Sequence, residues 1–297
     1  MTVQPDILCI GSVLWDIIGR SSRAMRQGSD VPGRITQIPG GVALNIAMTL
    51  MRFGKRPAVL SAVGQDAAGD QLVAEISAMG LITDHLYRSG DLPTDRYMAV
   101  EGANGLIAAI ADAHSLEAAG GKILAPLMDG TLGDARAPYA GTIALDGNLT
   151  ATLLASIAGA PEFARADLRV APASPGKAER LMPFLTQGRA TLYVNLEEAS
   201  LLSQSTFTDA PEAAAALIAR GAARVLVTDG GNCAAEADAS GVRRATPPQV
   251  LVARVTGAGD TFMAAHISAE QAGQPKQDAL AAALEAAARY VSGGSAQ

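Results

Sequence analysis

Val255-Thr256-Gly257-Ala258-Gly259-Asp260-Thr261-Phe262 places two glycines just ahead of an aspartate, and a run of apolar and small residues follows through Met263, Ala264, Ala265 and Ile267. The pattern reads as a tight turn opening a helix. Backbone N–H groups left free at such a start, together with the helix dipole, favour an anion. A carboxylate facing the same spot could take the proton of an alcohol while the N–H groups hold the charge on a moving phosphoryl group. The same residues also read as an N-cap Asp after a flexible loop. A second candidate is Gly40-Gly41-Val42-Ala43-Leu44-Asn45, in which small residues let a ligand approach the backbone and Asn45 sits one turn into a helix, pointing back toward its mouth. That Asn reads equally as the polar face of an amphipathic helix. Asp16 follows the first apolar run, where open α/β sheets bind ligands, or is a turn residue. Lys177, after a strand and at a helix start, is either an anion ligand or a solvated lysine.

These residues need elements to position them, and the chain supplies a repeating pattern. Asp6–Ile10 reads as a buried first strand ending at Gly11, and Arg20–Ile38 as a loop with short edge strands. Leu44, Ala47, Met48 and Met51 fit helical spacing up to Gly54. Pro57–Val63 reads as a strand and Asp70–Met79 as a helix stopped by Gly80. This β-α-β rhythm predicts a parallel sheet with helices on both faces. Asn104-Gly105 between two apolar runs, Tyr97–Val100 and Leu106–Ile110, signals an antiparallel hairpin that interrupts the rhythm, either a lid or an edge hairpin. The rhythm then resumes. Strands are expected at 142–145, 168–170, 191–194 and 225–228, helices at 151–158 and 278–291, and loops opening helices at 172–177 and at Asn195.

Composition narrows the classes. The 297 residues are 49% hydrophobic and 18% charged, an ordinary globular mixture. A net charge of −6 and 4% aromatics argue against nucleic acid as a partner. No apolar run reaches spanning length and no signal-type start is present, so no membrane partner is expected and a cytoplasmic protein is. Cys9 and Cys233 lie in apolar surroundings and read as buried free thiols. No Gly-x-Gly-x-x-Gly follows the first strand, and there is no Gly-Lys-Ser/Thr loop, nucleophile elbow or His/Cys metal spacing.

Gly40-Gly41 with Asn45, Asn195-x-x-Glu198, and Gly257-Ala258-Gly259-Asp260 together resemble, in order and spacing, the three signatures of the ribokinase-like (PfkB) kinases, over essentially the whole chain. The resemblance implies one domain over 1–297, a three-layer α/β/α sandwich with a small β-sheet lid from about 12–38 and 94–113. It implies transfer of the ATP γ-phosphoryl group to a sugar hydroxyl. By the same resemblance Asp260 is the base and the N–H groups of Gly257, Ala258, Gly259 and Asp260 form the anion hole. Asp16, Gly40, Gly41 and Asn45 would hold the acceptor, and Asn195 and Glu198 would organise Mg²⁺. Thr228, Gly230, Thr256, Gly257 and Gly259, with Asn195, would line the ATP site. Many members carry Asp where this chain has Arg254, which counts against a monovalent cation such as K⁺. Val194 stands where Pro is common.

Within the family, Ala109–Asp112, Asp146-Gly147-Asn148-Leu149 and Ala171–Ala178 look most like the pseudouridine kinases, which makes the 5′-hydroxyl of pseudouridine the expected acceptor and brings in Asp112, Asn148 and Lys177 as substrate contacts. Ribokinase, fructokinase and other nucleoside kinases are the alternatives in the class. Outside it stands a sugar- or nucleoside-binding sensor, which has no need of a base at Asp260. The hairpin alternates too little to be polar on one face, so two lids are expected to pack in a homodimer.

Overall fold

β1 (Ile7–Ile10) is four apolar residues, all buried. Leu8 and Ile10 join the core on one face of their sheet, Ile7 and Cys9 the core on the other. A strand apolar on both faces belongs to a parallel sheet covered by helices. That is the arrangement in the computed structural model, which describes residues 4–294.

After β1 the chain leaves for a second sheet through β2 (Leu14–Arg20) and β3 (Arg34–Gly40). It returns as α1 (Val42–Arg52), with Gly54 at φ 77° just beyond it, and enters the main sheet as β4 (Pro57–Leu60). β5 (Ala62–Gly64) and β6 (Tyr87–Ser89) pair as a small parallel ribbon around α2 (Ala67–Ala78). β7 (Arg96–Gly102) and β8 (Gly105–Asp112) form the expected hairpin, with Gly105 at φ 93° in its turn. Then come α3 (His114–Ala119), β9 (Thr142–Asp146), α4 (Ala151–Gly159), β10 (Asp167–Ala171), α5 (Met182–Gln187), β11 (Ala190–Asn195), α6 (Leu196–Ser203), α7 (Ala210–Ala219), β12 (Arg224–Thr228), β13 (Ala234–Asp238), β14 (Gly241–Ala245), α8 (Ala258–Gln271) and α9 (Lys276–Val291).

The main sheet runs β14-β13-β12-β11-β10-β9-β1-β4. β12 through β4 are parallel, and β13 and β14 are antiparallel at one edge. One core packs against α1, α2, α8 and α9, the other against α3 to α7. The result is the three-layer α/β/α sandwich that the rhythm and the resemblance imply. The second sheet runs β3-β2-β7-β8, and β8 is exposed along its whole length.

Several local expectations are corrected. Asp16 does not follow a strand end: it lies inside β2, opposite Ile38 on β3. Within 20–38, read as a loop with short edge strands, the strand is β3, which pairs with β2 over seven residues and runs on to Gly40. Pro57–Val63 is two strands with Ser61 between them. The loop at 172–177 opens a 3₁₀ turn, Pro175–Leu181, which runs on into α5. Cys9 is buried, whereas Cys233 is only partly so.

α8 carries the Gly257–Asp260 motif at its start. Thr261 to Ala269 are all buried, so the helix is embedded in the core on every side. Its far end is tied to the sheet: Glu270 pairs with Arg169 on β10 and Arg224 on β12, and His266 shares a 2.8 Å hydrogen bond with the Tyr193 hydroxyl on β11. Burial would raise the Glu270 carboxyl, but the Arg224 hydrogen bond and the Arg169 charge hold it down at about 2.

Candidate active site

Two helix N-termini meet at the carboxyl end of the main sheet, and they differ. At α1 the first-turn donors are taken by the protein. Val42 N–H donates to Ser12 Oγ at 2.8 Å, Ala43 N–H to Asp146 Oδ2 at 3.0 Å and Leu44 N–H to Ser12 O at 3.3 Å. Asp146, fully buried at the end of β9, also accepts from Ser12 N–H, Ser12 Oγ–H and Asn148 N–H. A Cβ on Gly11 would stand 2.3 Å from that carboxylate, so the glycine makes room for it. Burial raises the Asp146 pKa, and these donors oppose the rise.

At α8 the start is open. Gly257 is the N-cap residue, at φ 87°, and no side chain caps the helix. Ala258 N–H donates to Val255 O at 3.0 Å, so it is not free as the resemblance implied. The N–H groups of Gly259 and Asp260 have no partner among the described residues. A Cβ at Gly259 would meet nothing within 4 Å, and the residue is exposed.

Asp260 and Asn45 connect the two helices: Asn45 Nδ2 donates to Asp260 Oδ2 at 3.0 Å. The Asp260 pKa is pushed up to about 7, first by burial and further by the charges of Asp146, Asp16 and Glu198, against the lowering effect of Asn45. A carboxyl that titrates near neutrality is suited to accept and release a proton.

Asp16 completes the group from the second sheet. Burial raises its carboxyl to about 6, and no donor within the described residues reaches it. A Cβ on Gly40 would lie 2.1 Å from Asp16 Oδ2, so Gly40 is what allows that carboxylate to sit there. Gly41, at φ 100°, lies against Ser12 O, where a Cβ would come within 2.5 Å. Asp16 and Asn45 line a cavity of about 710 Å³ with Thr256 and Gly257, between the second sheet, the side of α1 from Asn45 to Arg52, and the segment leading into α8; Asp260 is not on its wall and meets it through Asn45.

The other candidates lie around this centre. Lys177 Nζ donates to Asn148 Oδ1, and Asn148 Nδ2 donates to Ser12 Oγ at 2.9 Å, so both join the network under α1 rather than the cavity wall. Burial lowers the Lys177 pKa. Asn195 and Glu198 form a capping box at the start of α6: Glu198 N–H donates to Asn195 Oδ1 at 2.8 Å and Asn195 N–H to Glu198 Oε2 at 2.9 Å. Burial pushes Glu198 to about 7, with the Asn195 N–H opposing and Glu197 adding to the rise. Thr228 ends β12, and Gly230 follows at φ 54° with open space where a Cβ would be. Asp112 stands apart at the end of β8, exposed and paired with His114 at 2.8 Å.

The model of the pfkB family carbohydrate kinases matches residues 4–297. The chain belongs to this family. It is therefore a kinase of the sugar and nucleoside class, an ATP-dependent phosphotransferase. Among its pfkB relatives, a pseudouridine kinase of Escherichia coli is 30% identical over 284 residues, covering 93% of this chain and 87% of that protein. A guanosine-inosine kinase of Exiguobacterium acetylicum is 28% identical over 297 residues, covering 96% and 94%. A structure of Arabidopsis thaliana ribokinase complexed with ribose and ATP superposes with a TM-score of 0.78 at 22% identity, covering 99% of this chain and 95% of that one; the likeness is one of fold. No helix among the described residues is long and apolar enough to cross a membrane.

Of two positioning groups in this pfkB chain, Ser12 escaped the reading of the sequence, and Asp146 entered it only as part of the Asp146–Leu149 motif, with no role assigned. The available signal was a polar residue at or just past the end of each of two buried strands, Ser12 beyond Gly11 after β1 and Asp146 as the last residue of β9. Only the parallel pairing of β1 with β9 brings them together.

Proposed function

We propose that the protein transfers the γ-phosphoryl group of ATP to the 5′-hydroxyl of pseudouridine. The observation that carries the reading is the Asp260 carboxyl, titrating near 7, bonded to Asn45 and placed at a helix start with open N–H donors. The acceptor hydroxyl enters from the cavity and gives its proton to Asp260. The N–H groups of Gly259 and Asp260 receive the negative charge of the phosphoryl group as it moves. Asp16, an acceptor without a protein donor, takes a ribose hydroxyl, and Asn45 a second. Sites built to bond a hydroxyl reject analogues lacking it by up to about 10⁴–10⁵, so a 2′-deoxy acceptor is a poor substrate.

The nucleotide lies along Thr228, Gly230, Thr256 and Gly257. Glu198 and Asn195 would hold Mg²⁺. The donor set fits: the capping box engages Oε2 of Glu198 and leaves Oε1, and Mg²⁺ is held by one or two carboxylates with phosphates and waters. When bound, the ion neutralises the charge on the phosphates. The setting of this reaction is the cytoplasm.

The choice of pseudouridine rests on the 30% identity to a pseudouridine kinase and on a cavity roomy enough for a nucleoside. The guanosine-inosine kinase at 28% identity makes a purine nucleoside the second reading. A sensor has no use for a carboxyl tuned to neutrality at an anion cradle. On the second sheet Ile35, Met98 and Ile110 are exposed on the face turned away from the cavity, and two copies pair through this face.

The test is kcat/KM for pseudouridine, uridine, inosine, ribose and fructose. Pseudouridine is expected to lead. Equal values for pseudouridine and uridine leave a general nucleoside kinase, and a preference for ribose or fructose moves the protein to the sugar kinases.

A further inference from the structure

The segment leading into the anion cradle, 253–257, is fastened along its length to the C-terminal end of α9. Ala253 N–H and Arg254 N–H both donate to Val291 O, at 2.7 and 3.1 Å. Arg254 Nε donates to Tyr290 O at 2.9 Å, and its Nη2 to Gly294 O at 3.1 Å. The same guanidinium lies over the Tyr290 ring, 3.8 Å from its centroid. The Tyr290 hydroxyl donates in turn to Thr256 O at 2.9 Å, and a Cβ on Gly257 would come within 2.5 Å of that hydroxyl.

The carbonyls at a helix C-terminus are orphan acceptors at the negative end of the dipole. One fixed cation therefore meets both the charge and the hydrogen-bonding need there, and stacking on Tyr290 restricts it further. Thr256 and Gly257, which this clamp grips, lead directly into the free N–H groups of Gly259 and Asp260. The direction of those donors follows from where the clamp holds Gly257.

We propose that Arg254, supported by Tyr290, is a positioning residue for phosphoryl transfer: it fixes the segment before α8 so that the N–H groups of the cradle converge on the phosphoryl group. The inference rests on the kinase reading above. Arg254 and Tyr290 also line the cavity, and the role inferred for Arg254 is exerted through the backbone it holds rather than on a reacting atom. Misplacing a positioned group by about 1 Å costs about 10²-fold in rate.

The variants are Arg254→Ala, Arg254→Lys and Tyr290→Phe, measured with whichever acceptor the wild-type protein phosphorylates. Arg254→Ala is expected to lower kcat by about 10²-fold with the acceptor KM unchanged. Methylguanidinium, at concentrations that leave the melting curve in place, restores part of that loss and does nothing to wild type. Arg254→Lys keeps the charge, loses the fork and falls between the two. A wild-type kcat in Arg254→Ala, a loss confined to acceptor KM, or the absence of rescue overturns the inference. If Arg254→Ala does not fold, Tyr290→Phe decides: it keeps the ring under the guanidinium and removes only the bond to Thr256 O, for an expected fall in kcat of about 2–10-fold, and an unchanged kcat overturns the inference. Wild-type protein that phosphorylates no sugar or nucleoside overturns the underlying reading instead, before any variant is made.

Discussion

Replacing Asn45 by alanine removes the amide that donates to Asp260 Oδ2 at 3.0 Å. That bond favours the ionised carboxylate, so its loss makes Asp260 harder to ionise. A hydrogen bond to a charged acceptor contributes about 1.5–3 kcal/mol, and the half-exposed position of Asn45 argues for the low end. About 1.4 kcal/mol corresponds to about one pH unit. The Asp260 midpoint should thus rise from about 7 to about 8. A base must be ionised to act, so at pH 7 the competent fraction falls from about a half to about a tenth, a loss of about fivefold in kcat/KM. At pH 9 both proteins are more than about nine-tenths ionised, and this part of the loss disappears. The assay is acceptor kcat/KM from pH 6 to 9 at saturating ATP. A deficit of the same size at every pH would confine Asn45 to acceptor binding, and an unmoved acid limb would refute Asp260 as the group that titrates.

Asp260→Asn should keep the fold and lower turnover by about 10²–10⁴-fold; a drop of less than about tenfold at saturating substrate sinks the base role. Because the folded carboxyl titrates at about 7, well above the ordinary Asp value of about 3.9, ionising it costs stability that accumulates as pH rises between those values. The Asn variant should therefore gain on wild type in melting temperature over that window and hold its advantage above it. Glu198→Gln retains an acceptor for the capping box, so α6 should stay intact while the Mg²⁺ requirement for half-maximal rate rises; a change in acceptor KM alone would reassign the residue. Gly40→Ala puts a Cβ 2.1 Å from Asp16 Oδ2 and must displace that carboxylate; acceptor KM should rise by about 10–100-fold with ATP affinity unchanged, and an unaltered KM removes Asp16 from the acceptor site. Light scattering at working concentration should give a dimer, and a fully active monomer would show that the exposed face of the second sheet has another use.

The sandwich was legible because its parallel strands are short apolar runs ending in glycine or a polar residue, a pattern that survives without any tertiary information. The hairpin of β7 and β8 announced itself through Asn104-Gly105. β3 was legible only as a short edge strand somewhere in 20–38, because 34–40 is mostly exposed and its bounds are set by pairing with β2. The same pairing hid the true place of Asp16. Asp260, Asn45 and the two glycine pairs could be picked out locally, since a turn, a helix start and a carboxylate lie within a few residues of one another. Ser12 and Asp146 could not: they meet across 134 positions of sequence, through strand order alone. Asp112 was singled out through likeness to the family alone and Lys177 also through its place after a strand at a helix start, and the fold leaves both outside the cavity wall.

β3 ends at Gly40 and α1 begins at Val42, so a single residue, Gly41, separates the second sheet from the main body. Asp16 is carried by that sheet, while Asn45 and Asp260 are carried by helices packed into the core. An acceptor bonded to Asp16 and Asn45 at once is a strut across the joint. Its binding energy is then shared between holding the molecule and holding two parts of the protein at a set angle. A ligand that lacks the hydroxyl facing Asp16 can still rest on Asn45, but it cannot brace the joint, and the geometry around Asp260 is then left to the protein alone.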